Sequence, residues 1–128
     1  MLPEGTDLMV YRFLHLSDIH FGQEKNGTLV KHEHIRDSLI KDAEALAKQR
    51  GPATRVLVTG DISYSGNPEE YKTATQWLEK VTDACGCEVT QVSTIPGNHD
   101  CDRKAISNQA RMIYAQLRVS GPELLRIA

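Results

Sequence analysis

The chain has 128 residues, 40% hydrophobic and 25% charged, an ordinary balance for one folded unit that argues against disorder. Its formal charge of −2 gives no general drive toward nucleic acid or membrane. No run approaches the roughly 20 apolar residues of a membrane span, and the start Met1-Leu2-Pro3-Glu4-Gly5-Thr6-Asp7 lacks a secretory pattern, so a cytoplasmic chain with reduced thiols is expected. In chain order, residues 10–16 read as a first strand. Ile35, Leu39, Ala43, Leu46 and Ala47 then share one helical face, which Gly51-Pro52 ends. Residues 55–59 form a second strand. Tyr71, Ala74, Leu78, Val81 and Cys85 mark a second helix with Trp77 beside that face; Pro68 suits its first turn, and Glu69 and Glu70 its positive end. Residues 87–95 read as a third strand. Ile106, Ala110, Ile113 and Leu117 give a third helix, ended by Gly121-Pro122.

The fold class is therefore α/β, in the order βαβαβα. Strand–helix–strand units require parallel strands and crossover connections. In such sheets, ligands gather at the carboxyl ends of the strands. Those ends carry Ser17-Asp18-Ile19-His20-Phe21-Gly22, Gly60-Asp61-Ile62-Ser63-Tyr64-Ser65-Gly66 and Pro96-Gly97-Asn98-His99-Asp100. On extended backbone, residues i and i+2 point to one side, so Asp18 and His20 can hold one cation together. Asp61 could bridge two cations, and Asn98 could add a neutral carbonyl oxygen. Oxygen and nitrogen donors without thiolate suit Mn, Fe, Zn or Mg. Two such ions about 3.5–4 Å apart are the usual arrangement for displacement at phosphorus. Each motif also has a plain reading: Asp-x-His is common, and Gly60-Asp61 and Gly97-Asn98 are turn-prone. Three strand ends presenting complementary donors at helix-length separations favour the metal site.

Asp18-Ile19-His20, Gly60-Asp61 and Gly97-Asn98-His99-Asp100, with the opening run Phe13-Leu14-His15-Leu16-Ser17, resemble the calcineurin-like metallophosphoesterases. That group includes purple acid phosphatases, certain nucleases and cyclic-nucleotide phosphodiesterases. The resemblance implies that Asp18 and His20 bind a first metal and that Asp61 bridges to a second. It implies that Asn98 binds the second metal and touches the substrate phosphate. His99 would be the catalytic acid beside the leaving group, with Asp100 orienting its ring. Two divalent ions are implied, Mn favoured, with a phosphoester substrate; a nucleic-acid or nucleotide diester fits the motif details better than a phosphoprotein.

The family carries further histidine ligands downstream, and no histidine follows His99 here. Residues 1–128 are thus expected to be the N-terminal part of a metallophosphoesterase domain, the first half of its α/β/β/α sandwich. The remaining ligands would lie in further chain, and the 128 residues alone would be inactive. A non-catalytic scaffold or sensor module in a larger protein is the alternative reading. His32-Glu33-His34 has ligand spacing, but on a helix the two rings diverge, so it reads as a solvated helix start. Tyr64 could line the substrate cleft or pack over its own loop. Cys85-Gly86-Cys87 has one residue between thiols, too few for a zinc knuckle, and reads as structural. Residues 1–100 hold 10 Lys/Arg against 15 Asp/Glu, and residues 101–128 hold 5 against 2. The basic tail could face a nucleic-acid backbone or simply be solvated.

Overall fold

A computed structural model describes residues 9–23, 29–102, 105 and 107–119. The elements are β1 (Phe13–Leu16), α1 (Leu29–Arg50), β2 (Arg55–Thr59), α2 (Pro68–Cys85), a 3-10 turn (Val89–Gln91), β3 (Val92–Ile95) and α3 (Asn108–Val119). The three strands form a parallel sheet in the order β1-β2-β3. Because the sheet grows in one direction, right-handed crossovers put both connecting helices on the same face. The burial agrees. Val56 and Val58 are fully buried, and Leu14, Leu16 and Val92 pack against the same cluster as Ala74, Leu78 and Val81. The register sets Leu14, Val56 and Val92 side by side on that face.

Alternation puts Phe13, His15, Leu57 and Ile95 on the opposite face. Phe13 and Ile95 are each 58% exposed there. Polar neighbours on that face pair across strands, His15 with Thr59 at 2.7 Å and Arg55 with Ser93 at 2.7 Å. Among the described residues, no helix covers this face.

Several boundaries differ from the sequence reading. β1 begins at Phe13 rather than at residue 10. Before it, Arg12 N–H donates to the Thr54 hydroxyl, and Thr54 N–H donates to the Arg12 carbonyl. β3 begins at Val92 rather than at 87, because Glu88 and Gln91 cap the 3-10 turn between them. α1 is rotated from the expected face. Ala43 is buried and Ile40 packs on the core, while Ile35 is 59% and Leu46 52% exposed. α2 buries the expected face and Trp77 as well. Asn67 and Glu70 form a capping box at its start, and Gly86 ends it in the left-handed conformation at φ 76°. Ala110 and Ile113 of α3 are exposed, and the Leu117 side chain of the same expected face lies outside the described residues. Ile106, Gly121-Pro122, Arg103, Lys104, Arg126 and the run from Glu123 lie outside the described residues. The Cys85 and Cys87 sulfurs lie 3.5 Å apart at the edge of the core. Burial, reinforced by the neighbouring Cys85, pushes the Cys87 thiol up to about 11. It stays protonated at neutral pH, which fits the structural reading. No helix of the described residues is long and apolar enough to cross a membrane.

Candidate metal centre

The pairing of β1 with β2 does not stop at the strand ends. His20 N–H donates to the Asp61 carbonyl at 2.9 Å, Phe21 N–H to Ile62 at 2.8 Å, and Tyr64 N–H to Phe21 at 2.9 Å. Phe21 and Ser63 form an isolated parallel bridge. The loops after β1 (residues 17–23) and β2 (60–67) are thus zipped together beyond the sheet. Within them Asp18, His20 and Asp61 all adopt positive φ, at 56°, 52° and 54°. Each such residue costs about 1–3 kcal/mol and persists only where surrounding structure over-determines it, commonly at functional sites.

The loop after β3 (96–100) joins them by close approach. A side chain added at Gly60 would come within 3.0 Å of the Gly97 Cα, and one at Gly97 would collide with Asp61. Two glycines therefore let the loops touch. The contact places the Asp61 carboxylate between two histidines. One oxygen accepts from the His99 backbone N–H at 3.0 Å, and the other lies 3.3 Å from His20 Nε2. The His99 amide, opposed by burial and aided by His20, holds the Asp61 carboxyl below its usual value. The side chains of His20 and Asp61 are 21% and 14% exposed, so the group opens to solvent.

One donor atom from each of His20, Asp61 and His99 lies within 4.8 Å of the others. A carboxylate with two imidazoles is a donor set for a borderline divalent cation, and it fits Mn, Fe or Zn. The His99 Nδ1 is 2.9 Å from the Tyr64 carbonyl. A carbonyl only accepts, so Nδ1 carries the proton and Nε2 presents its lone pair. The Tyr64 ring stacks on His99 at 5.2 Å and 21°, and His20 meets His99 edge-on at 4.8 Å.

Two expectations change. Asp18 and His20 were expected to grip one ion from extended backbone. Both have positive φ, so the alternation that puts i and i+2 on one side does not apply. Asp18 is exposed and stands outside the His20–Asp61–His99 group. Asp100 was expected to orient the His99 ring, and that contact belongs to the Tyr64 carbonyl. The Asp100 carboxylate instead accepts from Ser63 N–H and Gly97 N–H, both at 2.8 Å, and the Tyr71 hydroxyl donates to the Asp100 carbonyl at 2.7 Å. Asp100 thus ties the second loop to the third, and α2 to both. Asn98 is exposed on the third loop. Of the helix-start pair, His34 is exposed and His32 half-buried.

Two supports were not legible as site residues, Tyr71 and Glu70. The Asn67–Glu70 spacing of a capping box was the available signal for Glu70. Its carboxylate also accepts from the Ser63 hydroxyl at 2.7 Å, Ser65 N–H at 3.0 Å and the Ser65 hydroxyl at 2.7 Å. Gly22 presses on it, because any side chain there would occupy the Glu70 carboxylate. Burial alone would raise the Glu70 carboxyl, but the donors from Ser65, Ser63 and Asn67 outweigh it and hold it below the usual 4.5. A lowered folded value means that the stabilisation is fully present above the ordinary value, declines below it and is lost as pH falls through the folded value. Urea midpoints are expected to drop as pH falls below 4.5, and Glu70→Gln should flatten that part of the profile. An unchanged profile in the variant would remove Glu70 from this role.

Oxygen and nitrogen donors gathered at parallel strand ends make an α/β fold with a group that could hold a metal ion. A family model described as calcineurin-like phosphoesterase matches residues 11–123, and the chain belongs to that family. It is 33% identical over 97 residues to the uncharacterized metallophosphoesterase-like protein YydB of Bacillus subtilis (strain 168), covering 74% of this chain and 18% of that protein. It is 32% identical over 117 residues to the glycerophosphodiester phosphodiesterase GpdQ of Enterobacter lignolyticus (strain SCF1), covering 89% of this chain and 37% of that one. The chain thus spans well under half the length of these two relatives.

Proposed function

We propose that this chain carries the first metal-binding half of a phosphodiester-hydrolysing domain. The observation that carries the reading is the convergence of His20, Asp61 and His99 at three strand ends. The similarity to a glycerophosphodiester phosphodiesterase supports a diester over a monoester substrate. His20 and Asp61 would hold a divalent ion, Mn favoured, with Asp18 turning in from the same loop. Asp61 would bridge to a second ion that Asn98 helps to bind. When bound, the ions supply Lewis acidity toward phosphoryl oxygens and lower the pKa of water. The Tyr64 carbonyl fixes the His99 tautomer and its ring fixes the His99 plane, so Nε2 faces the reaction. Protonated, His99 would deliver that proton to the departing alkoxide as general acid. Tyr64 and Asn98 would border the substrate. The bare sheet face with Phe13 and Ile95 would receive the second half of the sandwich, which would bring the remaining ligands.

The test is Mn²⁺-dependent hydrolysis of bis-p-nitrophenyl phosphate by the full-length protein, with metal content measured in parallel. His99→Ala is expected to lower kcat by about two orders of magnitude or more, the usual weight of a general acid, while bound Mn²⁺ is largely kept. Equal loss of metal and turnover would make His99 a ligand instead. The 128-residue chain alone is expected to be inactive, and robust turnover by it would overturn the half-domain reading.

A further inference from the structure

At the end of α2 away from the candidate metal centre, the Cys85 and Cys87 sulfurs lie 3.5 Å apart, in contact. The backbone builds this approach. Gly86 between them adopts the left-handed conformation at φ 76° and ψ 29°. A residue in a helical conformation of either hand brings the α carbons on its two sides within the roughly 4.4–6.8 Å that a disulfide spans. Three backbone bonds fix the turn. Gly86 N–H donates to the Asp83 carbonyl at 3.3 Å, Cys87 N–H to the Thr82 carbonyl at 3.0 Å, and Ala53 N–H to the Cys85 carbonyl at 2.8 Å. A side chain at Gly86 would lie 2.9 Å from the Pro52 Cβ, so glycine serves the close packing as well as the turn. The two sulfurs are not equivalent. Cys85 is 3% exposed, and its thiol has the Thr82 carbonyl as acceptor at 3.6 Å. Cys87 is half-buried, between exposed Gly86 and exposed Glu88. One thiol can therefore meet a small reagent, and the other is already in contact with it.

We infer that Cys85 and Cys87 are a reversible dithiol–disulfide site, oxidised by small disulfides of the glutathione class. The site goes beyond the phosphoesterase reading and does not depend on it. In the first step the Cys87 thiolate attacks one sulfur of the small disulfide. A mixed disulfide forms, and one small thiol leaves with the proton that Cys87 lost. In the second step Cys85 gives up its proton and attacks the Cys87 sulfur. The Cys85–Cys87 bond forms, and the second small thiol leaves with that proton. The protein thus loses two hydrogens, and the small disulfide is reduced to two thiols. The sulfurs close from 3.5 Å to about 2.05 Å, which is a side-chain adjustment. Burial raises the Cys87 thiol and keeps it protonated at neutral pH, so the first step is slow there and quickens as pH rises. A thiol held protonated is also a poor leaving group, so the closed bond opens only to a strong reductant. The contact that packs the end of α2 is then also the bond that ties this helix to the chain entering β3.

The test incubates the full-length protein with oxidised glutathione at about pH 7 and about pH 9, where the thiolate fraction differs. The protein is then alkylated and cut after glutamate. Cleavage at Glu79 and Glu88 releases residues 80–88, which hold Cys85, Cys87 and no other cysteine. That peptide is expected to lose about 2 Da and to escape alkylation, the mark of an internal disulfide. Closure should be faster at the higher pH, and dithiothreitol should restore both thiols. A peptide that stays reduced at the higher pH would overturn the inference, and so would one that stops at a mixed disulfide. These measurements require no variant to fold. Cys85→Ser should halt the reaction with glutathione on Cys87, and Cys87→Ser should leave Cys85 unmodified. Glutathione on Cys85 in the second variant would overturn the order of attack. Closure should leave Mn²⁺ binding unchanged, because the candidate donors lie at the other end of α2. Loss of Mn²⁺ on closure would contradict a site separate from the centre.

Discussion

Asp61→Asn is expected to weaken Mn²⁺ binding by at least about two orders of magnitude, because outer partners of a ligand alone are worth roughly 10–100-fold. The fold should survive. Asn keeps an oxygen that can accept from the His99 N–H, which Asp61 accepts at 3.0 Å. What it removes is the charge. The Asp61 carboxyl is held below its usual value chiefly by the His99 amide and is therefore ionised at neutral pH, ready to draw a cation beside His20. Calorimetric titration with Mn²⁺ and thermal unfolding without metal separate the two effects. A variant that binds Mn²⁺ like the wild type would remove Asp61 from the centre. One that unfolds readily without metal would make its role structural.

Gly97→Ala has the second large effect, and it acts on both fold and site. The new methyl would strike the Asp61 carboxylate and lie 2.5 Å from the Asp61 backbone nitrogen. Relief by moving the loop is resisted, since the Gly97 N–H donates to Asp100 at 2.8 Å. Overpacking of this kind costs about 1–3 kcal/mol. A lowered urea midpoint is expected together with weaker Mn²⁺ binding, because the displaced group is the carboxylate between the histidines. A variant with wild-type midpoint and affinity would show that the loops do not meet as described.

His20, Asp61 and His99 were legible because each sits just past a run of β-branched or apolar residues, and strand ends are local features of sequence. The α2 cap was legible for the same reason, since Asn67, Pro68 and Glu70 act within one turn. The α1 face was misread because its apolar residues surround much of the helix. Which of them are buried depends on where α2 and the sheet lie, and contact with these selected Ala43 and Ile40 over Ile35 and Leu46. The start of β3 was misread because Glu88, Thr90 and Gln91 can bond locally, an option that a run of strand-forming residues conceals.

By itself, the sequence determined the βαβαβα order, the stop of α1, the start of α2 and the strand ends that carry the donors. These follow from short-range sterics, capping and periodicity. The tertiary structure decided how the donors face one another. It turned Asp18, His20 and Asp61 to positive φ, which breaks the simple alternation relating Asp18 to His20. It gave the His99 ring to the Tyr64 carbonyl and made Asp100 a tie between loops. It also laid Arg36 of α1 on the Phe21 ring of the first loop. Each of these contacts joins residues distant in sequence, and their geometry is set by how closely two loops or a helix and a loop approach. No local pattern of residues encodes that distance.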